Sequence, residues 1–365
     1  MARADKAKLD QLPQRDSRGK TPSGSWNSPL GTADPPVPEP SRTPSRLPWK
    51  SSTLPSAAVR TILVTGGAGF IGSNLTLELQ TRYPEARIVV VDDFRSGDFR
   101  NLQGFKGDFV TGDVSRLDWN AQFRDLVFDA IFHEASITDT TVNDQSLQAR
   151  DNIEGFRRLL QFAEPHQTPV VYASSAATYG ICSGIQREDQ PPAPANIYAF
   201  SKVQLDNLAR DYAKRFPAWK IVGLRYFNVF GPREAHKGAA ASMIYQLYKQ
   251  MKAGKRPRVF KAGEHKRDFV YVKDVVALTI HALNSKRSEI YNCGSGFAFS
   301  FNEVISVLNR ELGTELAAEY IENPYSFYQP HTQADMKRVK FELGFTPQFS
   351  PAAGIAEYLS LLENP

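Results

Sequence analysis

Residues 61–72 read TILVTGGAGFIG, and this stretch decides what the chain can fold into. Its first five residues are apolar or β-branched, which predicts a short buried strand. Glycines then recur at every third position, where they permit a tight turn, a close approach of phosphate to the backbone and close packing of a following helix, whose first N–H groups favour an anion. The stretch therefore predicts a turn that binds the pyrophosphate of a dinucleotide, with a ligand-free glycine turn as the alternative. The residues expected to face the pyrophosphate are Gly66, Gly69, Phe70, Ile71 and Gly72.

The chain that follows this turn alternates short apolar runs with helical stretches. Near-continuous apolar strands between helices are typical of a parallel sheet that is covered on both faces. We therefore expect an α/β, doubly wound (Rossmann) fold with right-handed connections. The predicted strands are 61–65, 87–91, 109–110, 130–133, 169–173 and 221–225, and the predicted helices between them are 73–82, 145–164 and 198–215.

The regular alternation ends beyond the last of these strands. Helical stretches around 239–253 and 301–312 are mixed there with short strands and loops. We interpret residues 59–235 as the dinucleotide-binding domain. Residues 236–365 are expected to form a smaller α/β substrate-binding domain, some segments of which return to the first domain.

The first 58 residues have a different composition from the rest. Residues 1–58 hold ten of the 24 prolines, nine Lys or Arg and five Asp or Glu. Such a segment cannot bury enough apolar surface to offset its ordering entropy, so we predict a disordered tail. An organelle transit peptide is the alternative, although the acidic residues argue against it. Nine basic minus five acidic residues give the tail +4 of the net charge of +5, so the remainder is nearly neutral and no nucleic-acid partner is expected.

The overall composition is that of a soluble globular protein, with 41% hydrophobic and 23% charged residues. No apolar run approaches the roughly 18 residues that a membrane helix needs, so no membrane partner is expected. Cys182 and Cys293 are far apart and lack metal-ligand spacing. Free thiols in a reducing compartment, a cytoplasmic location and the absence of a metal site are therefore expected.

Acidic residues close the second predicted strand. Asp92, with Asp93 beside it, can accept hydrogen bonds from the ribose hydroxyls of an adenosine. A carboxylate at this position repels a 2′-phosphate, which favours NAD. Arg95 and Arg100 follow closely and could hold the 2′-phosphate of NADP. The sequence leaves open whether the cofactor is NADP or NAD.

The ends of the third and fourth predicted strands offer further polar groups. Asp113 and Val114 follow the third strand, where they could hold an adenine edge or form an ordinary turn. Glu134, Ala135 and Ser136 end the fourth strand on the same edge of the sheet. We expect these three residues to line the cofactor, with a purely structural role as the alternative.

A hydroxyl, a phenol and an ammonium follow at positions that suit proton transfer. Ser175 ends the fifth predicted strand, where a hydroxyl can hold a substrate oxygen. Tyr198 and Lys202 are spaced i and i+4, so they share one face of a helix. A nearby ammonium and a positive nicotinamide favour phenolate, so we expect the pKa of Tyr198 to fall below its usual value near 10. Tyr198 can then take a carbinol proton while hydride leaves to the cofactor, and both Tyr198 and Lys202 are expected to contact that cofactor.

Longer motifs complete a recognisable pattern over residues 60–360. The chain resembles the extended short-chain dehydrogenase/reductase superfamily, which includes the NAD-dependent epimerases and dehydratases, and within it the ADP-L-glycero-D-manno-heptose 6-epimerase family. The motifs that carry the resemblance are YASSAATYG at 172–180, RYFNVFGPRE at 225–234, HKG at 236–238, KRDFVYV at 266–272 and TQAD at 332–335.

The resemblance implies an isomerase with two proton carriers. It would interconvert ADP-D-glycero-D-manno-heptose and ADP-L-glycero-D-manno-heptose by transient oxidation at C6, with a tightly bound NADP or NAD. Tyr198 and Lys237 would be proton acceptors on opposite sides of the oxidised carbon. Rotation about the neighbouring C–C bond can present the other face of the ketone, so the oxygen moves and a second carrier is useful. Lys237 can serve if burial lowers its pKa, and a phosphate-binding or surface lysine is the alternative.

The resemblance also implies a substrate site and an assembly. Asn228 and Val229 would contact the nucleotide sugar, and Arg267 would hold its phosphate as a planar donor fork. Tyr328 would line the sugar pocket, and Asn152 would approach the cofactor or the active-site helix. Enzymes of this family form homo-oligomers that are described as pentamers.

Two positions depart from the family pattern and keep other functions open. Ala239 and Gln246 stand where the family usually offers a serine and a histidine to the substrate. An epimerase of another nucleotide sugar, of the UDP-hexose 4-epimerase type, is therefore the first alternative. A dehydratase is disfavoured because Ala176 and Ala177, and not an acid pair, follow Ser175. A non-catalytic dinucleotide-binding regulator is the second alternative.

Overall fold

A parallel sheet of seven strands forms the centre of the computed structural model, which describes residues 61–138, 144–182, 184–323 and 329–364. The predicted tail, residues 1–58, lies outside the described residues. The strands are β1 (Thr61–Thr65), β2 (Arg87–Asp92), β3 (Asp108–Thr111), β4 (Ala130–His133), β5 (Val170–Ser175), β6 (Ile221–Tyr226), β7 (Asn228–Phe230), β8 (Arg258–Phe260), β9 (Lys266–Tyr271), β10 (Glu289–Cys293), β11 (Ala298–Ser300) and β12 (Glu319–Ile321).

The order of the strands confirms the predicted doubly wound fold. Across the main sheet the strands run β3-β2-β1-β4-β5-β6-β10, and all neighbours are parallel. The chain order reverses between β1 and β4, which is where ligands bind at the carboxyl ends of such sheets. The seventh strand, β10, comes from the region beyond residue 235.

Helices cover both faces of this sheet. The helices of the described residues are α1 (Phe70–Arg82), α2 (Trp119–Gln122), α3 (Gln145–Ala163), α4 (Ile197–Arg215), α5 (Met243–Lys252), α6 (Val272–His281), α7 (Phe301–Leu312) and α8 (Pro351–Glu363). The last of them, α8, packs against β9 of a smaller sheet. The side chains of Asp144 and Asn196 accept hydrogen bonds from N–H groups in the first turns of α3 and α4, which explains where these two helices begin.

Alternate residues of each strand point into two separate hydrophobic cores. Ile62 and Val64 of β1 belong to the core that also contains residues of α1 and α6. Leu63, between them, belongs to the core beneath α3 and α4. The burial of both faces is why the strands are apolar runs and do not alternate with polar residues.

Smaller sheets lie in the second half of the chain. One contains three strands in the order β11-β9-β7, and the other pairs β12 with β8. In the first, Asn228 of β7 lies opposite Phe269 of β9. Among the described residues, no helix is long and apolar enough to cross a membrane, and no group of three or more His, Cys, Asp or Glu could hold a metal ion.

Candidate active site

The glycine turn between β1 and α1 leaves no room for a side chain at Gly66 or Gly72. Gly66 has a φ of +69°, and a Cβ there would lie 2.5 Å from the backbone nitrogen of Ala135. A Cβ on Gly72 would lie 2.1 Å from the carbonyl oxygen of Gly66. The helix α1 starts at Phe70 after Gly69, which offers no side-chain hydrogen bond to its N-terminus. The turn thus leaves a smooth backbone surface that fits a pyrophosphate.

Asp92 ties this turn to the end of β2. Its carboxylate accepts hydrogen bonds from the N–H groups of Ala68 at 2.9 Å and Phe94 at 2.8 Å. Burial raises the pKa of Asp92, and these two backbone donors oppose that rise. A carboxylate oxygen has more than one acceptor position, so the side chain can still accept from a ribose hydroxyl.

The two arginines after β2 are already bound to carboxylates. Arg95 contacts Asp93 at 2.5 Å and Asp113 at 3.5 Å, and it also pairs with the buried Asp151 of α3. Arg100 pairs with its neighbour Asp98. The charges of Arg95 and Arg100, the two residues predicted to be able to bind a 2′-phosphate, are therefore neutralised by acidic neighbours.

The residues after β3 and β4 are held in turns at the same edge of the sheet. Asp113 accepts hydrogen bonds from both the N–H and the hydroxyl of Ser115 at 2.8 Å, which is the ordinary turn geometry. The buried Val114 packs against Gly155 of α3. A Cβ added at Gly155 would lie only 2.7 Å from Val114 Cγ2. The roles of Asp113 and Val114 toward a cofactor remain predictions.

Asn152 of α3 joins the segment after β4 to helix α4. Its Oδ1 accepts a hydrogen bond from the N–H of Ile137 at 2.8 Å, and its Nδ2 donates to the carbonyl of Ile137 at 3.2 Å. The same Nδ2 donates to Ser201 Oγ of α4 at 3.0 Å. The structure therefore places Asn152 against the active-site helix. Ala135 and Ser136 precede Ile137 directly and are half-buried, and the backbone of Ala135 lies beside Gly66.

Ser175, Tyr198 and Lys202 come together at the end of β5. The buried Ser175 lies close enough to Tyr198, the second residue of α4, for its hydroxyl to lower the pKa of the phenol. Lys202 is 1% exposed, its Nζ donates to the carbonyl of Ala173 at 2.7 Å, and it lies 5.9 Å from the centre of the Tyr198 ring. The structure thus assembles the three groups that the sequence predicted for proton transfer.

The pKa values of this pair are set by burial first. Burial lowers the pKa of Lys202 to about 8, and the negative charges of Glu134 and Asp206 oppose that fall. Burial raises the pKa of Tyr198, the nearby hydroxyl of Ser175 lowers it, and the charge of Glu134 raises it. The predicted fall in the pKa of Tyr198 was wrong for the protein alone, because burial of the phenol dominates.

A buried ion pair beneath Lys202 was not predicted from the sequence. Arg225 and Asp206 are each 1% exposed, with 2.9 Å between Arg225 Nη2 and Asp206 Oδ2. Tyr172 donates to the other oxygen of Asp206 at 3.0 Å, and the Arg225 guanidinium lies 4.7 Å from the ring centre of Tyr179. Arg225 begins the RYFN motif, which was the one signal of this role in the sequence.

Lys237 lies against the start of α1. Its Nζ is 5.6 Å from the ring centre of Phe70, the residue that follows the glycine turn. Burial lowers the pKa of Lys237, as the proton-acceptor role requires, while the charge of Glu234 opposes the fall. The fully buried Glu234 accepts from the N–H of Gly231 at 3.1 Å and from the hydroxyl of Ser242 at 2.9 Å. It thereby fixes both ends of the Lys237 segment.

The Lys237 segment is also hydrogen-bonded to the glycine turn. Asn101 donates to the carbonyl of Ala68 at 3.0 Å and lies 3.0 Å from Nδ1 of His236. Asn74 of α1 donates to the carbonyl of Pro232 at 2.9 Å. These contacts hold the Lys237 segment against the glycine turn.

The predicted substrate residues lie on β7 and β9. Asn228 is exposed and accepts from Thr332 Oγ1 at 3.4 Å, and Val229 is half-buried beside it. Arg267 is 7% exposed, donates to the carbonyl of Lys266 at 2.9 Å and lies over the ring of Phe301. Tyr328 lies outside the described residues.

The two positions that depart from the family pattern sit near Lys237. Ala239 is exposed in the segment after Lys237. Gln246 of α5 is half-buried and donates its amide to the carbonyl of Gly238. Gln246 thus holds the backbone of the Lys237 segment.

Asp268 holds the TQAD segment, a role that the sequence did not suggest. It is fully buried, and its carboxylate accepts from the N–H groups of Ser295 at 2.6 Å, Gly296 at 2.9 Å and Ala334 at 2.9 Å. Burial raises its pKa to about 6. The acid inside the KRDFVYV motif is therefore a structural centre for the substrate side.

Comparisons with known proteins agree with this geometry. Residues 62–294 match the model of the NAD dependent epimerase/dehydratase family. ADP-L-glycero-D-manno-heptose-6-epimerase of Brachyspira hyodysenteriae is 35% identical over 313 residues, which are 83% of this chain and 98% of that protein. The crystal structure of ADP-L-glycero-D-manno-heptose-6-epimerase from Helicobacter pylori has a TM-score of 0.79 and 39% identity, covering 84% of this chain and 98% of that one. UDP-glucuronic acid 4-epimerase from Bacillus cereus, in complex with UDP-glucuronic acid and NAD, has a TM-score of 0.72 and 27% identity, covering 83% and 99%.

Proposed function

The chain belongs to the NAD dependent epimerase/dehydratase family, and from this premise we propose that it interconverts ADP-D-glycero-D-manno-heptose and ADP-L-glycero-D-manno-heptose. The observation that carries the proposal is the pairing of the Ser175, Tyr198 and Lys202 site with Lys237, which is held against the residue that follows the glycine turn. The higher identity to the heptose epimerases than to the UDP-glucuronic acid 4-epimerase favours this sugar over a UDP-hexose.

The glycine turn fits a nicotinamide dinucleotide, because no side chain caps the N-terminus of α1 and its first N–H groups are open to a pyrophosphate. When bound, the nicotinamide supplies a hydride acceptor that later returns the hydride. Asp92 would hold the adenosine ribose, and Glu134, Ala135 and Ser136 border the turn from β4.

Two proton carriers would serve the two halves of each turnover, the oxidation and the reduction of C6. Tyr198, whose pKa the nearby Ser175 hydroxyl lowers, takes the proton of the C6 hydroxyl as that carbon is oxidised. Lys202 is anchored to β5 and supplies a positive charge beside the phenol. After rotation about C5–C6, the oxygen lies on the other side of the carbon, and Lys237 donates a proton to it as the ketone is reduced. Burial lowers the pKa of Lys237, which makes its ammonium a better proton donor.

We propose NAD as the cofactor, and not NADP. Asp92, Asp93, Asp113 and Asp151 crowd the end of β2 with carboxylates, and Arg95 is already bound by three of them. A 2′-phosphate would have to displace these acids from Arg95, whereas ribose hydroxyls can donate to Asp92. Mass spectrometry of the nucleotide released from purified protein tests this directly, and recovery of NADP would refute it.

The substrate side would be formed by β7, β9 and the Lys237 segment. Asn228 and Val229 would contact the nucleotide, and Arg267 would bind a phosphate of the ADP group. The division into domains at about residue 235 and the homo-oligomer, a pentamer by resemblance, remain proposals. Light scattering of the purified protein measures the number of subunits.

The enzymatic test uses both epimers of the ADP-heptose. Purified protein with its bound cofactor is incubated with ADP-D-glycero-D-manno-heptose, and the two epimers are resolved by chromatography. We expect an equilibrium mixture, and a loss of about 10²–10⁴-fold in rate for Tyr198→Phe, the range for removal of an acid–base group. Absence of interconversion by cofactor-loaded protein, together with turnover of UDP-glucose in a parallel sample, would assign the enzyme to the UDP-hexose 4-epimerases.

A further inference from the structure

Glu134 follows β4, and its side chain meets that of a residue two strands away. Its Oε1 accepts a hydrogen bond of 2.8 Å from the hydroxyl of Tyr226, the last residue of β6. The strand β5 lies between β4 and β6, and neighbouring strands are about 4.8 Å apart. The two side chains therefore meet at the end of β5, the strand that carries Ser175.

The same end of β5 anchors the buried ammonium. Lys202 Nζ donates to the carbonyl of Ala173 on β5. The residue before Glu134, His133, pairs with Tyr172 in the β4–β5 register, so the backbone of Glu134 adjoins Ala173. The register thus brings a carboxyl group and an ammonium group to the same strand end.

The position of the Glu134 carboxyl group is fixed by a buried chain of hydroxyls. The Tyr226 hydroxyl that donates to it also lies 2.9 Å from Thr279 Oγ1, which donates to the carbonyl of Val275 within α6. Tyr226 is 7% exposed and Thr279 is fully buried. The titratable groups that interact electrostatically with Glu134 are Tyr198 and Lys202 from α4, Tyr226 from β6 and Cys293 from β10.

We propose that Glu134 is a positioning residue: once ionised, its carboxylate, held by Tyr226 at this strand end, opposes loss of the Tyr198 proton. The inference rests on the proposed function in taking Tyr198 as the proton acceptor. An ionised Glu134 stabilises the ammonium of Lys202 and disfavours the phenolate of Tyr198. Tyr198 must both take and return a proton in each epimerisation, and a counter-charge keeps it from remaining phenolate.

The test measures Tyr198 directly and needs no substrate. The full chain with its bound cofactor is labelled with [¹³Cζ]tyrosine and titrated by NMR, and the Tyr198 signal is identified by its loss in Tyr198→Phe. In Glu134→Gln we expect the midpoint of Tyr198 to move to lower pH by about 0.5–1 unit, since one negative charge beside the phenol is removed. The control, Glu154→Gln on the exposed face of α3, removes the same charge far from the site and should leave the midpoint unchanged.

Each outcome decides for or against the proposal. An unchanged Tyr198 midpoint in folded Glu134→Gln, with or without loss of the cofactor, overturns it, and loss of the cofactor would then assign Glu134 to cofactor binding. If Glu134→Gln does not fold, Tyr226→Phe is used instead, because it removes the hydroxyl that holds the Glu134 carboxyl group. The midpoint of Tyr198 should then move to lower pH by a smaller amount, and no movement overturns the proposal. A protein with the shifted midpoint but no activity on ADP-heptose would refute only the proposed function.

Discussion

Replacement of Asp206 by Asn tests whether the buried ion pair beneath Lys202 supports the site. Asp206 and Arg225 are each 1% exposed and are joined at 2.9 Å and 3.2 Å. Asn has nearly the same shape, so the substitution removes a charge and leaves the guanidinium of Arg225 buried without an anion. Breaking a buried pair in this way costs about 3–5 kcal/mol. Since a folded domain is stable by only about 5–15 kcal/mol, the free energy of unfolding should fall by a large fraction of its total.

The assay is urea unfolding followed by circular dichroism, with the same excess of cofactor in every sample because a bound ligand stabilises the native state. Tyr172→Phe is the matched control. It removes only the hydroxyl that donates to the other oxygen of Asp206, and it should cost about 1–2 kcal/mol. The double replacement Asp206→Leu with Arg225→Met leaves no charge unpaired, so it should be less destabilising than the sum of its single replacements. A loss below about 1 kcal/mol in Asp206→Asn, or strict additivity in the double variant, would refute the reasoning.

Three further predictions follow from the site. Gly72→Ala puts a Cβ 2.1 Å from the carbonyl oxygen of Gly66, so dinucleotide affinity measured by calorimetry should fall at least about 10-fold, and an unchanged Kd would contradict the fit of the turn. Lys237→Met should slow epimerisation by about 10²–10⁴-fold with cofactor affinity unchanged, and Lys237→Arg should not restore the rate because a guanidinium does not deprotonate. Burial raises the pKa of Glu134 from 4.5 to about 7, so the native state keeps a proton that the unfolded state releases. This contribution to stability is lost as the pH rises, so wild type should lose about 2–3 kcal/mol relative to Glu134→Gln between pH 5 and pH 8, and parallel unfolding curves at the two pH values would contradict it.

Features that depend on local spacing were predicted from the sequence. The glycine turn was recognisable because its glycines are required by backbone sterics within a few residues of a strand. The positions of Tyr198 and Lys202 on one helix face follow from the helical period. The parallel sheet was predicted because its strands are buried on both faces and are therefore apolar runs. Lys237 came only from the family resemblance, since nothing in its local spacing indicates a proton carrier.

The long-range contacts of the buried acids, and the pKa of Tyr198, depend on the tertiary structure. Glu134 meets Tyr226 across 92 residues of sequence, and Asp268 meets Ala334 across 66. No local pattern predicts such partners, because they depend on which strands become neighbours in the folded sheet. Burial, which only packing establishes, raises the pKa of Tyr198 where the sequence predicted a lower one. The sequence by itself thus determined the fold and predicted Tyr198 and Lys202 as the acid–base pair. The tertiary structure decided the direction of their pKa shifts, because desolvation and long-range charges arise only when distant segments pack together.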